Sequence, residues 1–180
     1  MDIDHQHNFV MSWVWDLPAT RSSHGVVRAL LDGWQWSGIG RYQTGAPLTI
    51  ESGRDNSLDG IGDDRAQLTG QPIAPPAGSD PRVIFNRDAF ARNDVGTFGT
   101  LGQGTLRGPH LYSFDMGIFK RFAITERVNL QFRSEFFNIF NQTNFADPNT
   151  NFGGSFGTST ATHGFAGDPR ILQFGLKLTF

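Results

Sequence analysis

The end of the chain, from Ile171 to Phe180, alternates strictly between apolar and polar or small residues. Side chains on a β-strand point to opposite faces in turn, so a period of two predicts a strand that is apolar on one side only. After Ile171 the odd-numbered face is polar or small, as at Gln173 and Lys177. The even-numbered face carries Leu172, Phe174, Leu176, Leu178 and Phe180.

Four earlier segments show the same alternation, and each is long enough for the roughly 9–11 residues of a tilted membrane-crossing strand. In the third segment two residues break the pattern, since Lys120 falls on an apolar face and Phe119 on a polar one. Lys120 lies near a strand end, where a long side chain can bring its charge to water. The four predicted strands are His7–Trp15, Trp34–Thr49, Tyr112–Phe122 and Arg127–Phe140.

The connections between these strands differ in length in a regular way. Ala123–Glu126 leaves room only for a tight turn, whereas Glu51–Pro109 and Asn141–Pro169 are long and polar. The first connection holds a short apolar piece, Val26–Leu31, which predicts one or two helical turns. Outer-membrane barrels have short periplasmic turns and long outer loops. The sequence therefore predicts an all-β antiparallel fold, in which about five strands form an open, curved part of a transmembrane β-barrel with one short helix.

The tight hairpin carries a prediction about register. Its two strands both have apolar even-numbered faces, and directly opposed residues share a face, so paired numbers must sum to an even value. The turn should then have an odd number of residues or contain a bulge. The registers allowed by a tight turn place Asp115 opposite or diagonal to Arg133, a favourable pair.

Composition and motifs narrow the function. There are no cysteines, the net charge is −2 and no cluster of basic residues occurs. Thiol chemistry is therefore excluded and nucleic acid is not an expected partner, because phosphate neutralisation needs clustered cations. A Gly-x-Ser-x-Gly sequence occurs at residues 153–157, but it lies in the long polar connection and not at a predicted strand-to-helix turn, where a nucleophile elbow would stand, and no phosphate-binding loop is present. We expect no enzymatic activity and no cofactor.

Alternation alone also fits a soluble β-sandwich, whose apolar face points inward. In that alternative the chain would be a carbohydrate-binding module with its aromatic residues as a sugar platform. The position of the aromatic residues favours a barrel, because Trp15, Trp34 and Phe122 lie near predicted strand ends, where interfacial girdles occur.

One polar segment begins like a calcium-binding loop. Oxygen-bearing side chains alternate and Gly60 stands at the sixth position, but Ala66 replaces the bidentate carboxylate of the twelfth. We therefore expect no metal, and Asx turns in an outer loop are the alternative. The oxygen-bearing residues are Asp55, Ser57, Asp59 and Asp63.

Several short motifs, in this order and spacing, make the chain resemble the C-terminal barrel region of Oar-like TonB-dependent outer-membrane transporters. The resemblance covers nearly the whole chain, although Ala66 stands where the family tends to have proline. The motifs include Gly33-Trp-Gln-Trp-Ser-Gly38, Tyr42-Gln-Thr-Gly-Ala-Pro47, Phe132-Arg-Ser-Glu-Phe-Phe-Asn138, Asn144-Phe145 and Gly167-Asp-Pro-Arg-Ile-Leu-Gln173.

This resemblance implies outer-membrane localisation and energy-coupled ligand uptake. It also implies a fragment, residues 1–180, that needs the rest of its barrel and a plug, through which the TonB complex would act. The terminal strand, with Phe174, Leu176, Leu178 and Phe180, would be the signal for the barrel-assembly machinery.

On this interpretation, the residues that face the lumen form a mixed-charge stripe. The stripe could serve ligand passage or plug contact, or it could be plain cross-strand pairing on a wet wall. Its members are Asp115, Arg121, Arg133, Glu135 and Lys177.

Overall fold

The computed structural model describes residues 4–19, 25–164 and 167–180. These residues form two compact units. The strand unit consists of Phe9–Tyr42, Tyr112–Thr143 and Asp168–Phe180, and the loop unit of Met1–Asn8, Gln43–Leu111 and Asn144–Gly167, each without the undescribed positions. In chain order the elements are β1 (Asn8–Asp16), α1 (Gly25–Leu31), β2 (Trp34–Gln43), β3 (Pro47–Leu48), β4 (Gln67–Leu68), a 3₁₀ turn (Arg87–Ala89), β5 (Phe90–Ala91), β6 (Leu106–Arg107), β7 (Leu111–Ala123), β8 (Asn129–Phe137) and β9 (Ile171–Thr179).

The strand unit is a single five-stranded sheet in the order β1-β2-β7-β8-β9. Each strand pairs with the next long strand along the chain, and the pairs β7–β8 and β8–β9 are antiparallel. The five strands are those predicted from the alternation of the sequence. In the described residues β1 and β9 are the two edges, so the sheet is an open wall and not a closed barrel.

Two strands are shorter than predicted. The second ends at Gln43 and not at Thr49, and a separate short strand begins at Pro47. At Gly45 the chain passes so close to the backbone of Gly108 that a side chain would not fit. The fourth strand ends at Phe137, because the next residue, Asn138, has a φ of 47°. A left-handed residue cannot continue an extended strand.

The β7–β8 hairpin confirms the predicted parity of its register. Ala123 pairs with Asn129 and Met116 with Phe136, so all paired numbers sum to an even value. The turn spans residues 124–128, an odd number, and contains no two-residue hairpin. It is closed by hydrogen bonds from the backbone N–H groups of Ile124 and Thr125 to the Val128 carbonyl, at 2.9 and 3.1 Å.

The helix predicted at Val26–Leu31 is present as α1, Gly25–Leu31. None of the helices among residues 4–19, 25–164 and 167–180 is long and apolar enough to cross a membrane.

The loop unit shows that the long polar connections are folded. Its two small antiparallel sheets pair β3 with β6 and β4 with β5. Buried apolar residues from both connections form one core, in which the ring of Phe90 lies 5.3 Å from that of Phe156. The core residues are Leu48, Ile50, Ala66, Phe85, Ala89, Phe90, Leu101 and Phe156.

Candidate functional site

The polar face of the strand unit brings four of the five predicted lumen-facing residues into neighbouring rows. Arg121 pairs with Gln131, which pairs in turn with Lys177. Arg133, two residues after Gln131 on β8, lies between Phe119 of β7 and Gly175 of β9. Glu135, two residues further, lies between Gly117 and Gln173. Residues two apart on a strand share a face, so these charges form one stripe across β7, β8 and β9.

Arg133 is held in place on this stripe by two partners. Its guanidinium lies 2.7 Å from the Glu135 carboxylate and 5.3 Å from the centre of the Phe119 ring. Phe119, an exception in the alternating pattern, therefore serves as a platform for a cation on the polar face. Both charged side chains are partly exposed, so the pair stabilises the sheet by only about 0–1 kcal/mol.

Asp115 does not pair with Arg133, so that part of the hairpin prediction is wrong. Arg133 lies opposite Phe119, and the Asp115 carboxylate instead accepts a hydrogen bond from the backbone N–H of Asn138 at 2.8 Å. The cause is the turn, which closes around Val128 and moves the register beyond what a tighter hairpin would give. Asp115 thus stabilises the end of β8, not the charge stripe.

Asn138 is a structural residue that the alternation could not reveal. Its side-chain amide donates to the carbonyls of Gln142 and Asp168, at 2.9 and 2.7 Å, and its side-chain oxygen accepts from the Gln142 N–H at 2.9 Å. These bonds join the chain where it leaves β8 to the chain where it returns to β9. Asparagine tolerates the left-handed conformation better than most residues, which is the signal a sequence could offer.

The calcium-like loop uses its oxygens within the chain. The Asp55 carboxylate accepts hydrogen bonds from the N–H groups of Leu58 and Gly60, at 2.8 and 3.0 Å. The hydroxyl of Ser57 lies 3.3 Å from Asp55, and Asp59 accepts from the Ile61 N–H at 2.8 Å. Asp63 adopts a left-handed φ of 63°. In the described part of the chain no group of three or more His, Cys, Asp or Glu residues could hold a metal ion.

Asp64, next to this loop, is buried and organises it. Its carboxylate accepts hydrogen bonds from the Asn93 side chain at 2.9 Å and from the N–H groups of Asn56 and Ser57 at 2.7 Å. The bond from Asn93 is the main reason that the pKa of Asp64 lies below its ordinary value of 3.8, and the Ser57 and Asn56 bonds add to this effect. The charged form is therefore favoured in the folded loop.

We predict that replacing Asp64 by asparagine speeds amide exchange at Asn56 and Ser57. The native loop should also lose protection as the pH falls below about 3.8, because a carboxylate with a depressed folded pKa stabilises the fold only while it is ionised. Hydrogen exchange of segment 53–65, corrected for intrinsic rates, measures both effects. Asp63→Asn is the matched control. Equal protection in Asp64→Asn and the native chain would refute this role.

The opposite face of the strand unit is apolar and carries the predicted terminal signal. Leu172, Leu176 and Leu178 of β9 pair with Phe136, Phe132 and Leu130 of β8. The rings of Phe132 and Phe174 are stacked with their centres 6.3 Å apart. Phe180 follows the last paired residue of β9, and 93% of its surface is exposed.

Aromatic residues lie at both ends of this apolar face. At the end that leads into the long connections, Tyr42 and Tyr112 have ring centres 5.1 Å apart. Toward the other end, Trp36 contacts Trp13 and Trp15, with ring centres 5.3 and 6.3 Å apart. Among the residues of the strand unit that the structure describes, no second sheet covers this face. A single sheet with a polar face, an apolar face and two aromatic ends has the pattern of an outer-membrane barrel wall.

Comparison with known families agrees with this geometry. A family model described as an outer membrane beta barrel domain matches residues 1–173. The chain therefore belongs to this family and lies in the bacterial outer membrane, where we expect its apolar face to contact lipid. This assignment replaces the alternative of a soluble carbohydrate-binding sandwich. Searches of curated proteins and of solved structures found no match.

Proposed function

We propose that the chain is the C-terminal barrel wall of an Oar-like TonB-dependent transporter, and that it serves energy-coupled uptake of a ligand. The observation that carries the proposal is the folded loop unit. Both long connections contribute to one core, through Phe90 from the first and Phe156 from the second. Loops that are already ordered can bind a ligand without a large loss of conformational entropy, as a receptor requires.

Cations further tie the two connections together. Arg87 and Arg92, from the first connection, lie over the ring of Phe152, from the second, at 4.7 and 5.8 Å from its centre. Arg87 also donates to the carbonyl of Gly153, and Arg92 donates to those of Ser52 and Phe152. These contacts keep the two connections ordered, which supports the proposal of a receptor.

The charge stripe then supplies the inner wall of the transporter. Arg133 and Glu135 hold each other, while Arg121 and Lys177 lie in the next row. Such a wall suits a plug surface or the path of a polar ligand. The open edges of β1 and β9 call for neighbouring strands in the membrane, where backbone groups cannot be left unpaired. The rest of the barrel, a plug and the TonB complex acting through that plug are thus the proposed partners.

Uptake by the source bacterium tests the proposal. Compounds removed from the medium are compared between the native strain and a strain in which the gene is disrupted. We expect a compound whose removal needs the gene and stops when a protonophore dissipates the inner-membrane gradient or when TonB is deleted. Removal that needs the gene but survives both treatments would identify a passive pore and refute energy-coupled transport.

A further inference from the structure

Helix α1 turns its large apolar side chains outward. Val26 is 75% exposed, Val27 41%, Leu30 61% and Leu31 52%. These positions follow the spacing i, i+1, i+4 and i+5, which places them on one side of an α-helix. A helix of a water-soluble protein buries such a side against the core, whereas no residue of α1 is buried.

The other side of α1 faces its own unit with small and polar residues. Gly25, Ala29 and Asp32 line a cleft whose far wall includes Phe122 and Ala123, at the end of β7. A Cβ atom added at Gly25 would meet no other atom within 4 Å, so the helix does not pack tightly on the sheet. The apolar side is therefore left for a different environment.

Two side chains tether the C-terminal end of α1 to the apolar face of the sheet. The indole N–H of Trp34 donates to the Leu30 carbonyl at 2.8 Å, and the Lys120 ammonium donates to the Asp32 carbonyl. Lys120 is only 2% exposed, and its ammonium lies 5.2 Å from the Trp34 ring and 5.0 Å from the Phe122 ring. A cation at the C-terminal end of a helix is stabilised by the helix dipole. Lys120 thus fixes the helix and does not extend to water as predicted from the sequence.

We propose that the apolar side of α1 lies in the interfacial layer of the periplasmic leaflet of the outer membrane and contacts phospholipid. Helix α1 connects β1 with β2 at the same end of the sheet at which the short turn 124–128 connects β7 with β8. Short turns mark the periplasmic side of an outer-membrane barrel. The rings of Trp34 and Phe122 lie on the lipid-facing side of the sheet and contact Lys120, whose ammonium binds the end of α1. The lipid-facing surface therefore continues onto the helix. Amphipathic helices that lie on a membrane bury their apolar side at the boundary between the lipid headgroups and the acyl chains.

Charge on the helix agrees with a phospholipid as the occupant. Arg28, the only basic residue of α1, has a side chain that is 72% exposed and lies 3.4 Å from the Asp32 carboxylate. An exposed guanidinium beside an apolar helix side can reach lipid phosphates while its stem covers apolar surface. The proposal rests on the assignment to the outer-membrane barrel family, and it does not depend on whether the protein takes part in TonB-dependent transport.

Spin labels on single cysteines test the proposal, and the chain offers a background without cysteine. The full-length protein is reconstituted in nanodiscs of phosphatidylethanolamine and phosphatidylglycerol, with labels at Val27 or Leu30. We expect these labels to collide more often with oxygen than with a water-soluble nickel chelate. Leu176→Cys on the lipid face of β9 and Val95→Cys in the loop unit are the lipid and water controls.

The outcomes separate this proposal from the barrel assignment. A Leu30 label that is as accessible to nickel as the Val95 label, while the Leu176 label contacts lipid, would overturn the interfacial helix and leave the barrel intact. A Leu30 label protected from both reagents would overturn it in favour of a protein contact. In a Lys120→Leu background we expect the Leu30 label to become more mobile and to collide less often with oxygen. In a Lys120→Arg background the mobility and the oxygen collisions of the label should stay as in the native chain.

Discussion

Replacing Phe180 by aspartate in the full-length protein is expected to lower its abundance in the outer membrane sharply, while refolding of the purified protein in detergent changes little. Phe180 lies beyond the last strand pair and is almost fully exposed, so it adds little to the stability of the folded wall. The resemblance to outer-membrane proteins implies an assembly signal in this strand, and the expected loss tests the prediction that Phe180 is part of it.

The expected size of this effect follows from desolvation. Strand addition gives affinity through the main chain and specificity through side-chain pockets. Placing a polar group without a partner in an apolar pocket costs at least about 2 kcal/mol, roughly thirtyfold in a binding equilibrium. Phe180→Tyr keeps the ring, and Thr179→Asp places the same charge on the polar face, so both should assemble. Equal amounts of Phe180→Asp and native protein in isolated outer membranes would show that Phe180 is only an interfacial anchor.

Leu176→Arg is expected to destabilise the barrel by about 2–4 kcal/mol, because it places a cation near the middle of a lipid-facing strand. Leu176 lies on the apolar face of β9, opposite Phe132 of β8, and it is 71% exposed. Leu178→Arg, nearer the strand end, should cost only about 0–1 kcal/mol, since the penalty falls toward the interface. Unfolding by denaturant in lipid vesicles measures both values.

A matched control uses the other face of the same strand. Gln173 lies on the polar face opposite Glu135, so Gln173→Arg introduces the same side chain next to a carboxylate. It should leave the stability of the barrel nearly unchanged. If Gln173→Arg destabilised the barrel as much as Leu176→Arg, the assignment of the two faces would be wrong.

The period-two alternation was enough to predict the five long strands and the parity of the β7–β8 register. Both depend on local rules, because a strand with one apolar face specifies which residues can lie opposite each other. The predicted pairing of Asp115 with Arg133 was wrong, because the exact register depends on where the turn closes. The Thr125 side chain and the Val128 carbonyl make that turn longer than the shortest one allowed.

The loop unit shows a second limit. Its core joins Ile50, Phe85 and Phe156, which are distant in a sequence rich in glycine and proline and follow no period. Only contacts between the two connections reveal that these residues are buried. The burial of Lys120 also depends on a contact that is distant in sequence. Its ammonium binds the carbonyl of Asp32 at the end of α1, which explains why a lysine stands on the apolar face.

The charge stripe was predicted in part. Parity placed Arg121, Arg133, Glu135 and Lys177 on one face, and the structure brings them into adjacent rows. The contact between the Arg133 guanidinium and the Phe119 ring was not predicted, because Phe119 was treated only as an exception to the alternation. Whether the stripe contacts a ligand or a plug stays a prediction.

The most direct test of the wall assignment is the chemical accessibility of successive residues along β9. Single cysteines replace each residue from Leu172 to Lys177 in the full-length protein, which is then labelled in isolated outer membranes with a charged, membrane-impermeant maleimide. The account predicts alternation, with labelling at Gln173, Gly175 and Lys177 and protection at the even positions between them. Uniform labelling, or faster labelling at Leu172, Phe174 and Leu176, would contradict a lipid-facing even surface and with it the barrel wall.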